Sequence, residues 1–248
     1  MKKFRCICFV ICSLIILSSI SHGVESVPKP IALEVTKLTE LPQWYQEKQN
    51  NITQDIAKRY NRINKDNIRY LIVDSFDKTY NVTVESTKNS IKLFLKRGKN
   101  FNLISSNPQG IMSVHWSHNN RYFSYINVTN AINETQIQGT LYLIKINTNI
   151  NDIQKAELLK NISIGDIAWD NQNQEFVFTD YEKIYIYSPN SGIIHQIKDL
   201  WSKRPNGYPQ RVDNIFFSED GKNIIFRYCG NYAGDKDEYY QIDCRDLK

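Results

Sequence analysis

The sequence predicts an all-β protein built from about four four-stranded antiparallel sheets in series, with one helix near its N-terminus. Three observations lead to this prediction. A pattern of one aromatic residue, a polar turn and alternating apolar residues occurs three times. Short strand-like runs separated by turn residues fill the chain after residue 66, and a helical period is found only before it.

The repeated pattern occupies Val114–Ile126, Ala168–Phe178 and Phe216–Phe226. In each copy an aromatic residue precedes the turn, an apolar residue follows seven positions later, and an aromatic residue follows nine positions later. The aromatic residue before the turn is Trp116, Trp169 or Phe217 in the three copies. The apolar residue seven positions later is Phe123, Phe176 or Ile224, and the aromatic residue nine positions later is Tyr125, Phe178 or Phe226. Residues two apart point to one face of a strand, so each copy predicts a hairpin with one buried face. Recurrence at intervals of roughly 50 residues is typical of proteins in which one sheet per repeat stacks on the next.

Residues 1–23 have the composition of a secretory signal peptide. Lys2, Lys3 and Arg5 precede an uncharged apolar run, Cys6–Ile20. Small residues before the predicted cut place cleavage after Gly23. The apolar run is shorter than the roughly 20 residues of a transmembrane helix, and an uncleaved anchor is the alternative. We expect a secreted or periplasmic protein with no membrane association beyond this segment.

Charge argues against nucleic acid as a partner. The formal net charge is +5 at pH 7, and removal of the leader, with its Lys2, Lys3 and Arg5 and no acidic residue, lowers it to +2. A nearly neutral balance does not predict the clustered basic face that nucleic-acid binding requires.

Two cysteines, Cys229 and Cys244, remain after removal of the leader. An even pair in an oxidising compartment predicts a disulfide between them. A simple hairpin of Asn223–Cys229 with Glu238–Cys244, however, places Cys229 opposite Glu238. The bridge then requires the intervening segment to fold back, and the alternative is that the two thiols stay apart.

Residues 24–65 predict one strand and one amphipathic helix. Ile31–Val35 alternates weakly and predicts the strand. Beyond Leu41, apolar residues recur at the spacings of one helical face, and Thr39 can cap the helix N-terminus. These residues are Trp44, Tyr45, Ile52, Ile56, Tyr60 and Ile63. We expect this face to cover the end or side of the sheets; binding of a partner is the alternative.

Residues 66–248 predict the repeat domain. Its first unit lacks the aromatic residue and turn, but contains four strand-like runs, Ile68–Asp74, Thr79–Glu85, Ser90–Lys96 and Asn102–Ser105. The second and third units start near Ile111 and Gly165, and the third includes Ile184–Tyr187. The fourth contains Asn214–Phe217, Asn223–Tyr228 and Tyr239–Asp243, and is one strand short. Ring-shaped repeat proteins close by pairing the first strand of the chain with the last repeat, for which Ile31–Val35 is available.

The repeat resembles the TolB-like, WD-repeat-related β-propeller family, whose blades carry a Trp-Ser-Pro-Asp-Gly-Lys turn and a later Ile-Tyr strand. Trp116–Arg121, Trp169–Asn173 and Phe217–Lys222 lie on the turn, and Leu141-Tyr142, Ile184-Tyr185 and Tyr239-Tyr240 lie on the strand. The Ser-Pro-Asp-Gly sequence is complete in no copy. The resemblance covers about residues 66–248 and implies a β-propeller-like array of about four blades. Members of this family mostly act as binding platforms.

Histidines are the first candidates for chemistry. His115 and His118 have a metal-ligand spacing, but residues three apart on a strand point to opposite faces, so shared ligation requires the turn to begin between them. His195 lies within an apolar strand, which favours a structural role. The chain contains no nucleophile elbow, metalloprotease helix, phosphate loop or dinucleotide turn. We predict no catalytic residue, no metal and no cofactor.

The sequence therefore favours an exported, non-enzymatic module that binds a protein or peptide partner in the cell envelope or outside the cell. Trp201, Tyr208 and Tyr232 are the candidate contact residues, because aromatic residues on loops favour protein or sugar contacts. Two alternatives stay open. A metal-dependent hydrolase or lyase on the same scaffold requires the histidines and acidic side chains to converge at the centre, and a carbohydrate-binding propeller requires an exposed aromatic platform.

Overall fold

The computed structural model describes residues 27–65, 67–131, 137–172, 175–180, 183–197, 211–229 and 237–247. The helix is α1 (Gln43–Arg59). The strands, in chain order, are β1 (Lys29–Ile31), β2 (Val35–Lys37), β3 (Tyr60–Lys65), β4 (Ile68–Asp74), β5 (Asn81–Ser86), β6 (Ile91–Arg97), β7 (Asn100–Ser106), β8 (Ile111–Trp116), β9 (Tyr122–Ala131), β10 (Ile137–Ile146), β11 (Ile153–Trp169), β12 (Phe176–Asp180), β13 (Lys183–Ser188), β14 (Ile193–Ile197), β15 (Arg211–Phe217), β16 (Asn223–Cys229) and β17 (Glu238–Asp243). Within these ranges no helix has the length and apolar character needed to cross a membrane. The predicted leader lies outside the described residues.

Four sheets of neighbouring strands follow one another along the chain. Sheet 1 consists of β3 to β7, and sheet 2 of β8, β9, β10 and the first part of β11. Sheet 3 consists of the last part of β11 with β12, β13 and β14, and sheet 4 contains β15, β16 and β17. The predicted fold class, an all-β, propeller-like array of about four blades with one N-terminal helix, is confirmed.

Strand β11 joins sheets 2 and 3 without a break. Its residues up to Ser163 pair with β10, and its residues from Ile164 pair with β12. Gly165 lies at the crossing point, where an added Cβ would lie 2.6 Å from the carbonyl oxygen of Thr179. Only glycine permits so close an approach of two backbones.

The N-terminal segment supplies the strand that sheet 4 lacks. Strand β2 pairs antiparallel with β17, with Val35 opposite Ile242. Strand β1 pairs parallel with β14, with Lys29 opposite His195. The single strand expected at Ile31–Val35 is therefore two short strands on two sheets. Both pairings satisfy backbone groups at sheet edges that would otherwise be free to associate with other chains.

The same turn occurs once in every unit, where it connects β4 to β5, β8 to β9, β11 to β12 and β15 to β16. A side chain at the start of each turn accepts a hydrogen bond from the backbone N–H five residues later. These pairs are Ser75 with Tyr80 (3.0 Å), Ser117 with Tyr122 (2.9 Å), Asp170 with Glu175 (3.1 Å) and Ser218 with Asn223 (3.0 Å). The first unit thus lacks the aromatic residue but carries the turn.

Successive sheets are joined by three hydrophobic clusters. Trp116 and Tyr125 lie in the cluster between sheets 1 and 2, Trp169 and Phe178 in that between sheets 2 and 3, and Phe217 and Phe226 in that between sheets 3 and 4. Each repeated aromatic residue is thus buried at the corresponding place in successive interfaces. Full burial of one such side chain contributes about 1.5–3 kcal/mol.

Helix α1 ends earlier than the spacing of apolar residues in the sequence predicts. Helix α1 stops at Arg59, and Tyr60 and Ile63 belong to β3. Strand β3 pairs along its whole length with β4, from Tyr60 opposite Val73 to Lys65 opposite Ile68. The hairpin supplies these residues with backbone partners across the sheet, and this tertiary pairing overrides the local helical pattern.

The predicted disulfide between Cys229 and Cys244 is wrong. Cys244 is a free, buried thiol. In the hairpin of β16 and β17, Tyr228 lies opposite Glu238 and Asn223 opposite Asp243, so the two cysteines lie at opposite ends. Bridged cysteines have Cα atoms within about 7 Å, far less than the length of this hairpin. Burial is also the main reason that the pKa of the Cys244 thiol is raised.

Candidate functional site

Helix α1 lies where the array of sheets remains open. It contacts β15 of sheet 4 at one side and β3 and β4 of sheet 1 at the other. Among the described residues, the three hydrophobic clusters join sheets 1 to 2, 2 to 3 and 3 to 4, and none joins sheet 4 directly to sheet 1. The helix therefore occupies the position at which a closed ring would have direct contact between its first and last blades.

The first strands of sheets 2, 3 and 4 share an irregularity that leaves backbone groups available to side chains of α1 and β3. Their pairing shifts register between Met112 and His115 in β8, between Ile164 and Ile167 in β11, and between Asp213 and Phe216 in β15. Such bulges leave a residue out of the ladder and redirect its backbone groups.

Three side chains from α1 and the start of β3 donate hydrogen bonds to backbone carbonyl groups of these strands. Tyr45 donates its hydroxyl to the Asn214 carbonyl, Lys48 donates its Nζ to the Phe217 carbonyl, and Tyr60 donates its hydroxyl to the Val114 carbonyl, each at 2.7 Å. The ring of Tyr45 is fully buried and meets Phe216 edge-on at 5.4 Å. The helix is thus fixed to sheet 4 by hydrogen bonds and by packing, whereas Tyr60 of β3 ties sheet 1 to sheet 2.

A cavity of about 330 Å³ lies between α1 and the inner strands. Its walls come from α1, β3, the turns after β4 and β8, and strands β8, β11 and β15. The lining residues are Lys48, Asn51, Arg59, Tyr60, Phe76, His115, Trp116, His118, Asp166, Ile167, Ala168, Trp169, Ile215, Phe216 and Phe217. A largely aromatic cavity with a few polar groups is the usual form of a binding site for a small molecule or a side chain.

Two cations face this cavity from the helix. The Arg59 guanidinium lies over the ring of Phe76 at 4.1 Å, and the Phe76 ring lies 4.7 Å from that of His118. Lys48 carries the second positive charge, and its burial lowers the pKa of the ammonium, against the opposing effect of Glu219. Burial thus leaves the Lys48 ammonium poorly solvated, a state that an anion would relieve.

His115 is neutral at physiological pH. Burial, and secondly the positive charge of Arg59, lower the pKa of His115 to about 4. A neutral imidazole can both donate and accept a hydrogen bond. Asp166 is the acidic residue of the lining, and its carboxylate accepts a hydrogen bond from the Asn214 backbone N–H. This hydrogen bond directs its charge toward the backbone of β15.

Trp169 brings one unsatisfied donor to the cavity wall. The side chain is buried, and its indole Nε1 has no hydrogen-bond partner within the part of the chain that the structure describes. At the corresponding position in the preceding sheet, Trp116 donates its Nε1 to the Val73 carbonyl at 3.1 Å. A buried donor without a partner costs about 1–3 kcal/mol.

The structure brings together only some of the residues that the sequence singled out. His115 and His118 both line the cavity, because the turn begins between them at Ser117, whereas His195 lies on β14 beside Lys29. The described residues contain no group of three or more His, Cys, Asp or Glu side chains that could hold a metal ion. Trp201, Tyr208 and Tyr232 lie outside the described residues.

Sequence reasoning missed the charged side of the site. Lys48, Asn51 and Arg59 were polar positions on a helix whose apolar face alone was used for prediction. Phe76 follows Ser75, the first residue of the turn in the first unit. The sequence analysis did not recognise this turn, because no aromatic residue directly precedes Ser75. The signal was available in the spacing of Ser75 and Asp77, which matches Ser218 and Asp220 in the last unit.

Comparisons with known proteins give similarity at the level of fold. No protein-family model matches the chain, and no curated protein matches it. Among solved structures, it is similar to the β-propeller domain of Cps50 (Swd1) from Myceliophteria thermophila, with 15% identity, 88% of this chain and 58% of that chain covered, and a TM-score of 0.39.

Two TolB structures are also similar. For TolB from Acinetobacter baumannii the identity is 12%, the coverage 80% of this chain and 56% of that chain, and the TM-score 0.43. For the putative TolB from Agrobacterium tumefaciens the corresponding values are 12%, 71%, 68% and 0.41. The chain resembles TolB and WD-repeat propellers, as its motif predicted. It spans little more than half of the first two of these chains, and its own four sheets are the basis for the fold assignment.

Proposed function

We propose that the chain is an exported, non-enzymatic, propeller-like module that binds a protein or peptide partner in the cell envelope or outside the cell. The observation that carries this proposal is the cavity between α1 and the inner strands. It is lined by aromatic rings and is bordered by two cations. Aromatic and arginine side chains are the residue types that contribute most to protein recognition.

Export is supported by the predicted leader, and a non-enzymatic role by the chemistry of the lining. His115 and Asp166 are the titratable groups of the inner strands in the cavity. Asp166 accepts a hydrogen bond from the Asn214 backbone N–H of β15, and no nucleophile among the described lining residues stands beside a base. The cavity therefore has the composition of a recognition pocket.

The proposal is tested by blocking the mouth of the cavity. Asn51 is exposed and lines the cavity, whereas Asn50 is exposed and does not. We expect the tagged mature protein to retain a partner from an envelope extract of the organism that encodes it, and the purified partner to rebind in isolation. Asn51→Trp abolishes both steps because the indole fills the mouth, and Asn50→Trp leaves both unchanged.

Two results would contradict the proposal. One is the absence of any protein retained above the level of an unrelated secreted control. The other is equal retention by Asn51→Trp and the unchanged protein, which would place the contact surface elsewhere. Circular dichroism of both variants verifies that neither substitution has unfolded the chain.

A further inference from the structure

Strand β7 forms the outer edge of sheet 1. It pairs with β6 on one side, and no strand that the structure describes lies on its other side. Phe101 is 64% exposed and Leu103 is 51% exposed, although both are large apolar residues. They lie opposite Lys96 and Phe94, respectively, so the four side chains share the face of the sheet that points away from sheet 2. Exposed apolar side chains beside free backbone groups can accept an added strand.

The outer strands of the other sheets carry residues that oppose such an addition. Lysine and proline are the usual protection of a sheet edge, because a lysine ammonium resists burial and proline has no N–H donor. The outer strands of sheets 2, 3 and 4 are the first part of β11, β1 and β2. They contain Lys155 and Lys160, Lys29 and Pro30, and Lys37, respectively. Strand β7, Asn100–Ser106, is longer than β1 or β2 and contains no charged residue and no proline, so its edge is open to a partner.

The charge beside this edge is exclusively positive. The hairpin of β6 and β7, Ile91–Ser106, contains Lys92, Lys96, Arg97 and Lys99 and no acidic residue. None of these cations forms an ion pair with another residue in the described ranges. Two copies of the chain paired through β7 would bring two such hairpins together, and their like charges would repel. An acidic partner would instead be attracted to the hairpin.

We infer that β7 binds an extended acidic segment of a partner protein, which adds a strand to sheet 1. Backbone hydrogen bonds to β7 hold the segment, its apolar side chains pack beside Phe101 and Leu103, and its carboxylates lie near Lys96 and Lys99. The chain itself shows this kind of addition at sheet 3, where β1 pairs parallel with β14. The cavity is lined by no residue of β6 or β7, so this second surface goes beyond the proposed function.

The probe is a set of fluorescein-labelled octapeptide pools in which valine alternates with Asp or Glu, with Ser or Asn, or with Lys or Arg. Binding to the mature chain is measured by fluorescence anisotropy. We expect the acidic pool to bind at least about tenfold more tightly than the neutral pool, and the basic pool not to bind. Hydrogen exchange of Asn100–Ser106, followed by mass spectrometry, should slow by about fivefold or more in the complex, because the outer N–H groups of β7 gain acceptors.

Two double variants separate the apolar contacts from the charges. Phe101→Ser with Leu103→Ser removes the apolar side chains and keeps every charge, and it should weaken binding of the acidic pool by about tenfold. Lys96→Gln with Lys99→Gln should weaken it by about tenfold at low salt, and should also reduce its dependence on ionic strength. Circular dichroism verifies that both variants keep the fold.

The matched control removes the same charge from the opposite edge of the same sheet. Arg62 and Lys65 are exposed on β3, so Arg62→Gln with Lys65→Gln should leave binding of the acidic pool unchanged. Asn51→Trp separates the two surfaces, because it fills the mouth of the cavity and does not touch β7. The acidic pool should bind this variant as tightly as it binds the unchanged protein.

The inference is overturned if the acidic pool binds no more tightly than the neutral pool, or if the variant at Phe101 and Leu103 binds it as tightly as the unchanged protein. Loss of binding in Asn51→Trp would place the acidic ligand in the cavity instead. A dimer in sedimentation velocity that the variant at Phe101 and Leu103 abolishes would assign β7 to a second copy. Co-sedimentation with phosphatidylglycerol vesicles that the same variant abolishes would assign it to a lipid surface. Each of these results contradicts the acidic segment and leaves the capture experiment at the cavity unaffected.

Discussion

Replacement of Tyr45 measures how firmly α1 is fixed to sheet 4. The ring is fully buried, lies edge-on to Phe216 and Tyr239 at 5.4 and 5.8 Å, and donates its hydroxyl to the Asn214 carbonyl. Tyr45→Phe removes this hydrogen bond and lowers the free energy of unfolding by about 1–2 kcal/mol. Tyr45→Ala removes the ring as well and lowers it by about 3–5 kcal/mol, because a buried aromatic side chain leaves a cavity that the surroundings fill only partly.

Urea and thermal unfolding, followed by tryptophan fluorescence, measure both changes. A domain of this size loses about 2–4 °C in Tm for each 1 kcal/mol, so we expect Tm to fall by about 2–8 °C for Tyr45→Phe and by about 6–20 °C for Tyr45→Ala. Tyr70→Phe is the control, since the structure describes no hydrogen bond to that hydroxyl and the substitution should be neutral. A fall of less than about 3 °C for Tyr45→Ala would refute the reasoning, because α1 would then not unfold together with the sheets.

The repeated turn and one half-buried carboxyl give two further predictions. Lys78 and Gly221 occupy equivalent turn positions with φ of 59° and 69°, so Lys78→Gly should stabilise the protein by about 0.5–1 kcal/mol and Gly221→Ala destabilise it by about 1 kcal/mol in urea unfolding. An added Cβ at Gly221 meets no atom closer than 3.8 Å, so equal stability of these two variants and the unchanged protein would show that the backbone is not strained there. Burial, and secondly Asp170, raise the pKa of Glu175 from 4.5 to about 7. The folded state thus holds this proton more tightly than the unfolded state, and the stability is full below about pH 4.5 and is lost as the pH rises through 7. Glu175→Gln should remove this loss, which partial exposure reduces to about 1–2 kcal/mol, as measured by unfolding at pH 5 and pH 8; identical pH profiles would contradict the assignment.

Strands and turns were predictable because their signals are local. Ile68–Asp74 was expected as a strand and is β4 with the same bounds, and Ile184–Tyr187 lies within β13. An alternating stretch buries one face wherever it is placed, and a Ser-x-Asp turn closes by bonds within six residues. The fold class followed from the recurrence of such units, without knowledge of which sheets meet.

The candidate site was not predictable because it is assembled by distant parts of the chain. Lys48 and Arg59 are exposed-type residues on a helix of low apolarity, and their sequence context does not reveal that sheets 2, 3 and 4 converge on the same side. His115 and His118 were recognised as a pair, but their common orientation depends on where the strand ends. The cysteine pair was predicted from number and compartment, yet the register of β16 and β17 keeps the two residues apart.

The sequence alone determined the elements of this protein: four hairpin-based units, a helix before them, and an aromatic residue at each interface. These follow from periodicity and turn chemistry, which act between residues close in the chain. The tertiary structure alone decided that β2 completes sheet 4, that α1 occupies the opening between sheets 4 and 1, and that Arg59 and Lys48 border a cavity with Trp169. Such contacts depend on how whole sheets pack. The free energy of burying an apolar face is nearly the same for any apolar partner, so shape and strand register decide which partner it meets.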